Sequence, residues 1–270
     1  MQRTSLNSLK SLTGVMMQQD RDIIHIESLY KSFGEFRVLD GLDLTLEKDL
    51  VNIIIGRSGG GKSVLIKHII GLLKPDSGRI LVRGEDIVPM DEGEMARVRK
   101  DFGMLFQEAA LFDSLNVHEN VAFPLHEHTS RSYSEIDEVV QAKLAAVGLQ
   151  GMDKKMPAEL SGGMRKRVGL ARALALEPKI VLFDEPTSGL DPVMAAAINE
   201  LIQRTRQEFG ATCIVISHDI DATMKIADNI SMLYEGKIIA RGSPAEIREN
   251  TDPVVRQFIR GEAQGPIKVN

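Results

Sequence analysis

The sequence predicts an α/β protein built on a parallel sheet, because strand-like and helix-like segments alternate along the chain. Three runs are almost continuously apolar: VNIII at 51–55, IVLF at 180–183 and CIVIS at 213–217. Such runs are typical of central parallel strands, which helices cover on both faces. Each run is followed by a polar cluster and a helix-compatible segment, which is the order of elements in a parallel α/β sheet.

Other segments predict antiparallel strands. From Ile23 onward apolar and polar residues alternate, and the alternation continues through Leu42, Leu44 and Leu46. This pattern indicates strands with one buried face. The segment ISMLYEGKIIARG predicts a late hairpin that turns at Glu235–Gly236.

The stretch between residues 107 and 172 lacks a strong strand pattern. Within it, SEIDEVVQAKLAAVGL has helical spacing and ends near Gly148, so we expect a helical insertion of about residues 107–172. Taken together, the patterns predict a polar extension at 1–21, one α/β domain at 22–250 and a loosely structured tail at 251–270.

The composition excludes several classes of protein. A net charge of -5 argues against non-specific binding to nucleic acid. No apolar run approaches the ~20 residues of a membrane span, and the N-terminus lacks the apolar core of a signal peptide. Cys213 is the only cysteine and lies in an apolar run, which predicts a packed thiol in a reducing compartment.

The sequence GRSGGGKS at 56–63 fits the phosphate-binding pattern G-x-x-x-x-G-K-[ST], directly after one apolar strand and before a helix-like segment. Its glycines let several backbone N–H groups converge on phosphate oxygens without Cβ atoms in the way. Lys62 is predicted to contact the β- and γ-phosphates, and Ser63 to offer Mg²⁺ a hydroxyl ligand. The predicted binding set is Gly56, Arg57, Ser58, Gly59, Gly60, Gly61, Lys62, Ser63 and Val64.

Acidic side chains follow the second apolar strand. Asp184 ends it, which suits a carboxylate associated with Mg²⁺ near the phosphate loop, and Glu185 can polarise a water for attack on the γ-phosphate. His218 follows the third apolar strand, and Gln107 ends FGMLFQ. Neither residue alone indicates a functional role. A role is indicated only by the order of these residues among the other motifs.

The stretch LSGGMRKR at 160–167 places cations at the expected start of a helix that Ser161 caps. The helix dipole disfavours positive charge there. One explanation is that an anion binds at this end and that Gly162 and Gly163 let it approach the backbone. A plain serine–glycine connector is the alternative.

In their order along the chain, the phosphate loop, Gln107, LSGG, FDEP, SGLD and SHD resemble the motifs of an ATP-binding cassette (ABC) ATPase. The resemblance covers about residues 22–250. It implies a P-loop NTPase with a RecA-like core, an antiparallel β subdomain and a helical signature subdomain, and it implies ATP and Mg²⁺ as cofactors.

The resemblance also assigns roles to individual residues. It implies that Phe33 stacks on adenine, that Asp184 and Gln107 join Ser63 as Mg²⁺ ligands, and that Lys62, Gln107, Glu185 and His218 form the catalytic set. The signature residues Ser161, Gly162 and Gly163 and the D-loop residue Asp191 are expected to contact nucleotide as well.

In this family the signature helix meets ATP bound to the opposite subunit, so the cations of LSGGMRKR are expected near an anion held in trans. A single cassette carries two half-sites, which implies a homodimer. Met164 stands where the commonest signature has Gln. This loses an amide donor but leaves Ser161 and the glycine N–H groups, so we expect the ATP-bound dimer to close.

The segment 104–129, together with Met164, is similar to the ATPases of maintenance-of-lipid-asymmetry (Mla) systems. That similarity implies phospholipid transport with integral-membrane permease subunits and a periplasmic carrier with a mammalian-cell-entry (MCE) domain, and it permits a STAS-domain regulator. The expected location is the cytoplasmic face of a bacterial inner membrane, with no nucleic acid as partner. The alternatives are the ATPase of a polar amino-acid or other small-solute importer and, less favoured, an ABC ATPase outside transport.

Four of the nine phenylalanines cluster in this region, namely Phe102, Phe106, Phe112 and Phe123. Some are expected in the core of the helical subdomain. The others are predicted to line a groove for a short helix of the permease.

Overall fold

The computed structural model describes residues 21–268, which fold into two sheets and a set of covering helices. The strands are β1 (Asp22–Phe33), β2 (Phe36–Glu47), β3 (Val51–Ile55), β4 (Ser77–Val82), β5 (Glu85–Asp86), β6 (Phe102–Leu105), β7 (Ile180–Asp184), β8 (Thr212–Ser217), β9 (Asn229–Tyr234) and β10 (Lys237–Gly242). The helices are α1 (Lys62–Ile69), α2 (Glu92–Arg99), α3 (Val117–His128), α4 (Tyr133–Ala146), α5 (Gly162–Ala173), α6 (Pro192–Phe209), α7 (Ile220–Ile226), α8 (Pro244–Arg248) and α9 (Pro253–Arg260).

The larger sheet has the strand order β10-β9-β3-β8-β7-β6, and all its pairs are parallel except β10 with β9. The predicted strands at 51–55, 180–183 and 213–217 are its neighbours β3, β7 and β8. Every residue of β3 is buried, as expected for a strand with helices on both sides. The parallel α/β prediction is confirmed.

The smaller sheet has the order β2-β1-β4-β5 and is antiparallel. Ile26 pairs with Leu44 and Ile24 with Leu46, so the apolar alternation of both strands lies on one buried face. The hairpin of β9 and β10 turns at Glu235 and Gly236, as predicted.

The hydrophobic core has two halves on opposite faces of the larger sheet. Ile53 and Ile55 pack with the helical insertion, whereas Ile54 packs with α1 and the antiparallel sheet. The insertion itself consists of α3, α4 and α5 with a short 3₁₀ turn at Pro157–Glu159. Side-chain caps from Asn116, Ser132 and Ser161 start its three α-helices.

The C-terminal segment is more ordered than the sequence predicts, and the expectation of a loosely structured tail after Thr251 is wrong. Asp252 caps α9, and Gly261 ends it with a left-handed conformation. The buried Gln257 side chain then accepts from the Ile267 backbone N–H at 2.6 Å and donates to the Ile267 carbonyl at 3.1 Å. This clamp holds the residues after α9 against the core, where Ile267 is buried.

The predicted polar extension at 1–21 lies, apart from Arg21, outside the described residues. Along residues 21–268, no helix combines the length and apolar character needed to cross a membrane.

Candidate functional site

The phosphate-binding loop joins the end of β3 to α1, at the carboxyl edge of the parallel strands. Gly61 precedes α1 with φ 95°, a conformation that favours glycine. A Cβ atom at Gly56 would overlap the carbonyl oxygen of Leu233 on β9. The loop therefore needs glycine at these two positions, which agrees with the predicted pattern.

Lys62 is the first residue of α1 and is almost fully buried, with 4% of its surface exposed. Its Nζ donates to the carbonyl oxygens of Gly56 and Arg57, each at 2.8 Å. Burial lowers the pKa of Lys62, and the nearby carboxylates of Glu185 and Asp184 oppose that shift. The loop thus holds a desolvated ammonium group beside two acids.

Asp184 and Glu185 follow β7, next to the phosphate loop. The Oδ1 atom of Asp184 is buried and has no hydrogen-bond partner among the described residues. Burial, and secondarily the charge of Glu185, raises the pKa of Asp184. An unpaired buried carboxylate oxygen is costly, so this position suits a cation.

Glu185 has φ 46°, an uncommon conformation for a residue with a side chain. Its N–H donates to the carbonyl of Ile216 on β8, which fixes the turn. The His218 Nδ1 atom lies 3.2 Å from Glu185 Oε2. The carboxyl ends of β7 and β8 therefore bring the predicted acid and histidine together.

Gln107 follows β6 and contacts the loop after Glu185. Its Nε2 lies 3.4 Å from the Ser188 hydroxyl oxygen, to which it donates. The sequence did not single out Ser188, although it belongs to the SGLD motif. Asp191, the last residue of that motif, accepts from the backbone N–H groups of Val193 and Met194 and so caps α6.

Ser161 caps α5, as predicted, and accepts from the Met164 N–H at 3.3 Å. Two of the cations that follow, Arg165 and Lys166, make hydrogen bonds to backbone carbonyls. Arg165 donates to the Leu160 carbonyl, and the buried Lys166 donates to carbonyls of the 186–188 loop. Both side chains thus have hydrogen-bond partners within the chain, and the expected anion on the opposite subunit stays a prediction.

The predicted adenine contact, Phe33, is half exposed at the end of β1, with the Lys31 Nζ atom 5.6 Å from its ring centre.

Beside the phosphate loop lies an open cleft of about 500 Å³. Among the described residues its lining consists of Phe36, Arg37, Val38, Arg57, Ser58, Gly59, Gly60, Leu233, Tyr234, Glu235 and Gly236. The signature residues Gly162 and Gly163 are not part of this lining and lie against Leu190 and Met194.

All four clustered phenylalanines line one groove of about 510 Å³ between β6 and the helical insertion. Phe106, Phe112 and Phe123 are each about two-fifths exposed, at 39%, 41% and 38%. The rings of Phe112 and Phe123 are 4.7 Å apart, and the Arg172 guanidinium lies over Phe112. The four rings share a groove, as predicted, and Phe102 also packs against the core on the α1 side of the larger sheet. Binding of a permease helix in this groove stays a prediction.

Cys213 is fully buried in β8, and burial raises the pKa of its thiol from 9.0 to about 12. The prediction of a packed rather than reactive thiol is confirmed.

The model of the ABC transporter family matches residues 39–188, which include the phosphate loop, Gln107, the signature and Asp184 with Glu185. The chain belongs to the ABC transporter family. Solved ABC cassettes share the fold: cbiO1 of Clostridium perfringens is 32% identical with a TM-score of 0.79 over 88% of this chain and 94% of its own. The cassette MJ0796, solved as a dimer in a post-hydrolysis state with ADP and Pi, is 29% identical with a TM-score of 0.75 over 82% and 98%.

Two groups of ABC relatives are similar over most of the chain. The probable ribonucleotide transport ATP-binding protein mkl of Mycobacterium tuberculosis is 46% identical over 244 residues, 90% of this chain and 68% of that protein. The intermembrane phospholipid transport system ATP-binding protein MlaF of Escherichia coli is 42% identical over 252 residues, 93% of this chain and 94% of that protein. The phospholipid relative therefore matches nearly from end to end.

Proposed function

We propose that this chain is the ATP-hydrolysing subunit of a transporter that moves phospholipid between a bacterial inner membrane and a periplasmic carrier with an MCE domain. The observation that carries the proposal is the 42% identity to the phospholipid transport protein of Escherichia coli over 94% of its length. The segment 104–129 that resembles this subgroup lines the groove next to Gln107. In this proposal the chain works on the cytoplasmic side of the membrane.

A ribonucleotide transporter is the second candidate, because the mycobacterial relatives with that name reach 46% identity. Their match covers 68% of the relative's length, which is less than the match to the phospholipid system. Purification of the native complex with its membrane subunits, followed by analysis of bound molecules, separates the candidates. The proposal expects phospholipid together with an MCE-domain protein, and bound ribonucleotide without lipid contradicts it.

The nucleotide in this proposal lies along the phosphate loop. The N–H groups of residues 56–64 surround the phosphates, while Lys62 turns from the Gly56 and Arg57 carbonyls toward the β- and γ-phosphates. Phe33 stacks on adenine with its exposed face. These assignments rest on the pattern of the loop and on the buried charge of Lys62.

The residues near the loop fit Mg²⁺, since the Asp184 Oδ1 atom is buried without a hydrogen-bond partner among the described residues and Ser63 lies in the first turn of α1. Gln107 is the third proposed ligand. When bound with ATP, the ion neutralises charge on the phosphate oxygens. The buried Oδ1 atom of Asp184 would then pair with the ion.

Hydrolysis in this proposal depends on Glu185, which polarises the attacking water as a general base. His218, 3.2 Å from the carboxylate, orients it and contacts the γ-phosphate. Gln107 donates to Ser188 in the loop after Glu185, and the preceding residue Phe106 lines the groove of phenylalanines. Gln107 therefore links this site to the groove. Changes at the γ-phosphate can therefore reach the surface where a permease would bind.

Loss of the Lys62 charge is expected to weaken ATP binding. Lys62→Ala removes a charge-assisted phosphate contact of roughly 1.5–3 kcal/mol, so the Kd for ATP is expected to rise by about one to two powers of ten. Lys67→Ala removes the same charge from an exposed position of the same helix and is the matched control. Titration with a fluorescent ATP analogue measures both variants, and equal affinity of Lys62→Ala and wild type contradicts the assignment.

The groove is proposed to bind a short cytoplasmic helix of the permease, since exposed aromatic rings are effective anchors. Phe112→Glu places a charge on its apolar floor and is expected to release the permease while ATP still binds. Tyr133→Glu, at an exposed tyrosine on α4 outside the groove lining, is the matched control. Co-purification with the membrane subunits measures the effect. Retention of the permease by folded Phe112→Glu contradicts the groove assignment.

Transport of a two-chain lipid sets a physical limit on what this subunit does. Each methylene that leaves the bilayer for water costs about 0.8 kcal/mol, so full exposure of the chains far exceeds the free energy of one hydrolysis. The lipid must therefore pass through an apolar conduit in other subunits. The proposed task of this chain is to drive the conformational change, through dimer closure and the groove.

A further inference from the structure

Lys166 is a buried cation in an unfavourable electrostatic position. It lies in the second turn of α5, and only 5% of its surface is exposed. Burial lowers the pKa of Lys166. A charge in such a place is retained only if strong hydrogen bonds offset its desolvation.

Two backbone carbonyls supply those hydrogen bonds. The Nζ atom of Lys166 donates to the carbonyl oxygen of Pro186 at 2.8 Å and to that of Ser188 at 2.6 Å. Both acceptors lie 20 or more positions further along the chain, in the loop that directly follows Glu185. The side chain therefore joins the signature helix to the end of β7.

The same loop holds other parts of the site. The Ser188 N–H donates to the Glu185 carbonyl at 3.1 Å, and the Ser188 hydroxyl accepts from Gln107. Further along, Leu190 and Met194 lie against Gly162 and Gly163 at the start of α5. Signature helix, Gln107 and Glu185 thus meet at one short segment, residues 186–188, and Lys166 is the charged group that binds it.

We propose that Lys166 is a positioning residue that couples the two ATP sites of the homodimer. Lys166 fixes the signature helix to the segment 186–188, which positions Glu185. In the dimer the signature helix contacts ATP bound to the partner, whereas Glu185 acts on ATP bound to its own subunit. Closure of one site then moves the catalytic carboxylate of the other. The inference rests on the proposed ATPase function and homodimer, but not on the nature of the transported molecule.

The chain offers a matched control in Lys143 on α4. Lys143 is also buried, with 6% of its surface exposed, but it pairs with Glu177 at 3.3 Å and lies 4.8 Å from the Phe209 ring centre. None of its described contacts reaches residues 186–188. Lys143→Met and Lys166→Met thus remove the same charge from similar burial, and only the second removes the tie to the catalytic loop.

The test measures steady-state ATP hydrolysis by the full-length chain in its native complex, as a function of ATP concentration. Two coupled sites give a Hill coefficient above 1 in the wild type. For Lys166→Met we expect a Hill coefficient of about 1 and a kcat lowered about tenfold, with the ATP concentration at half-maximal rate changed less than about twofold, because the phosphate loop is intact. Lys166→Arg, which keeps the charge and N–H donors, is expected to restore the cooperativity.

Thermal unfolding of each variant accompanies the kinetics. If Lys166→Met does not fold, Lys166→Ala, which has no side-chain donor, is measured in its place with the same expectation. Wild-type cooperativity and kcat in the folded Lys166 variant overturn the proposal, and so does an equal loss in Lys143→Met. A complex that hydrolyses ATP but moves no lipid contradicts the cargo assignment and leaves this test intact, whereas a wild-type complex without ATPase activity contradicts the proposed function itself.

Discussion

Glu185→Gln is expected to abolish ATP turnover while ATP still binds. The substitution keeps the size of the side chain and removes the carboxylate that polarises water, so hydrolysis is expected to fall by about 10²–10⁴-fold. The phosphate loop and Lys62 are unchanged, and the loss of a negative charge beside the γ-phosphate favours the ATP-bound state. The variant should therefore accumulate as a closed dimer in ATP, which size-exclusion chromatography with and without ATP measures.

The matched control for this variant is Glu208→Gln. Glu208 is an exposed glutamate on α6 that pairs with Arg204 at 2.8 Å, away from the site. Its substitution makes the same chemical change and is expected to leave turnover at the wild-type value. Wild-type turnover in Glu185→Gln would show that another group activates the water and that the strained turn at Glu185 has a different role.

Mixed dimers are expected to recover activity from two inactive proteins. Lys62→Ala damages the phosphate loop, and Ser161→Arg places a large side chain at the start of the signature helix. If each site combines the loop of one subunit with the signature of the other, a mixed dimer has one site with both lesions and one with neither. About half of the wild-type activity per mixed dimer is the upper limit, since one of the two sites is intact.

Two controls make the mixing experiment decisive. Each variant mixed with itself must stay inactive, and differently tagged subunits must show that mixed dimers form. Because Ser161 caps α5, its substitution also costs about 1 kcal/mol of stability, so folding of Ser161→Arg is measured first. Mixed dimers without activity contradict the arrangement in trans.

The sequence predicted the central strands well, and it predicted that the acids and the histidine of the proposed site lie together, for a physical reason. The consecutive apolar residues Ile53, Ile54 and Ile55 indicate burial on both faces of the sheet, and the phosphate loop requires glycine at 56 and 61. Asp184, Glu185 and His218 come together because the ends of neighbouring parallel strands lie at one edge of a sheet. In such cases local pattern and three-dimensional position are closely linked.

Other features were beyond sequence reasoning because they depend on contacts between distant residues. The direction of Lys166 is set by carbonyls in the 186–188 loop, and nothing in LSGGMRKR shows that these acceptors are near. The tail after Thr251 is ordered partly by the apolar face of α9, where Val255 packs in the core, and partly by the Gln257 clamp on Ile267, which no local pattern shows. Clustering of phenylalanines predicted a groove, but the exposure of each ring follows from the packing of α3 against α5 and of α5 against β6.

The most direct test of the proposed function is the transfer of labelled phospholipid by the reconstituted complex. Vesicles that contain the permease and this ATPase are mixed with the periplasmic carrier, and lipid on the carrier is measured with and without ATP. The account predicts ATP-dependent transfer in the wild type and none with Glu185→Gln. ATP hydrolysis that is stimulated by ribonucleotide or by a soluble amino-acid-binding protein, with no phospholipid moved in either direction, would contradict it.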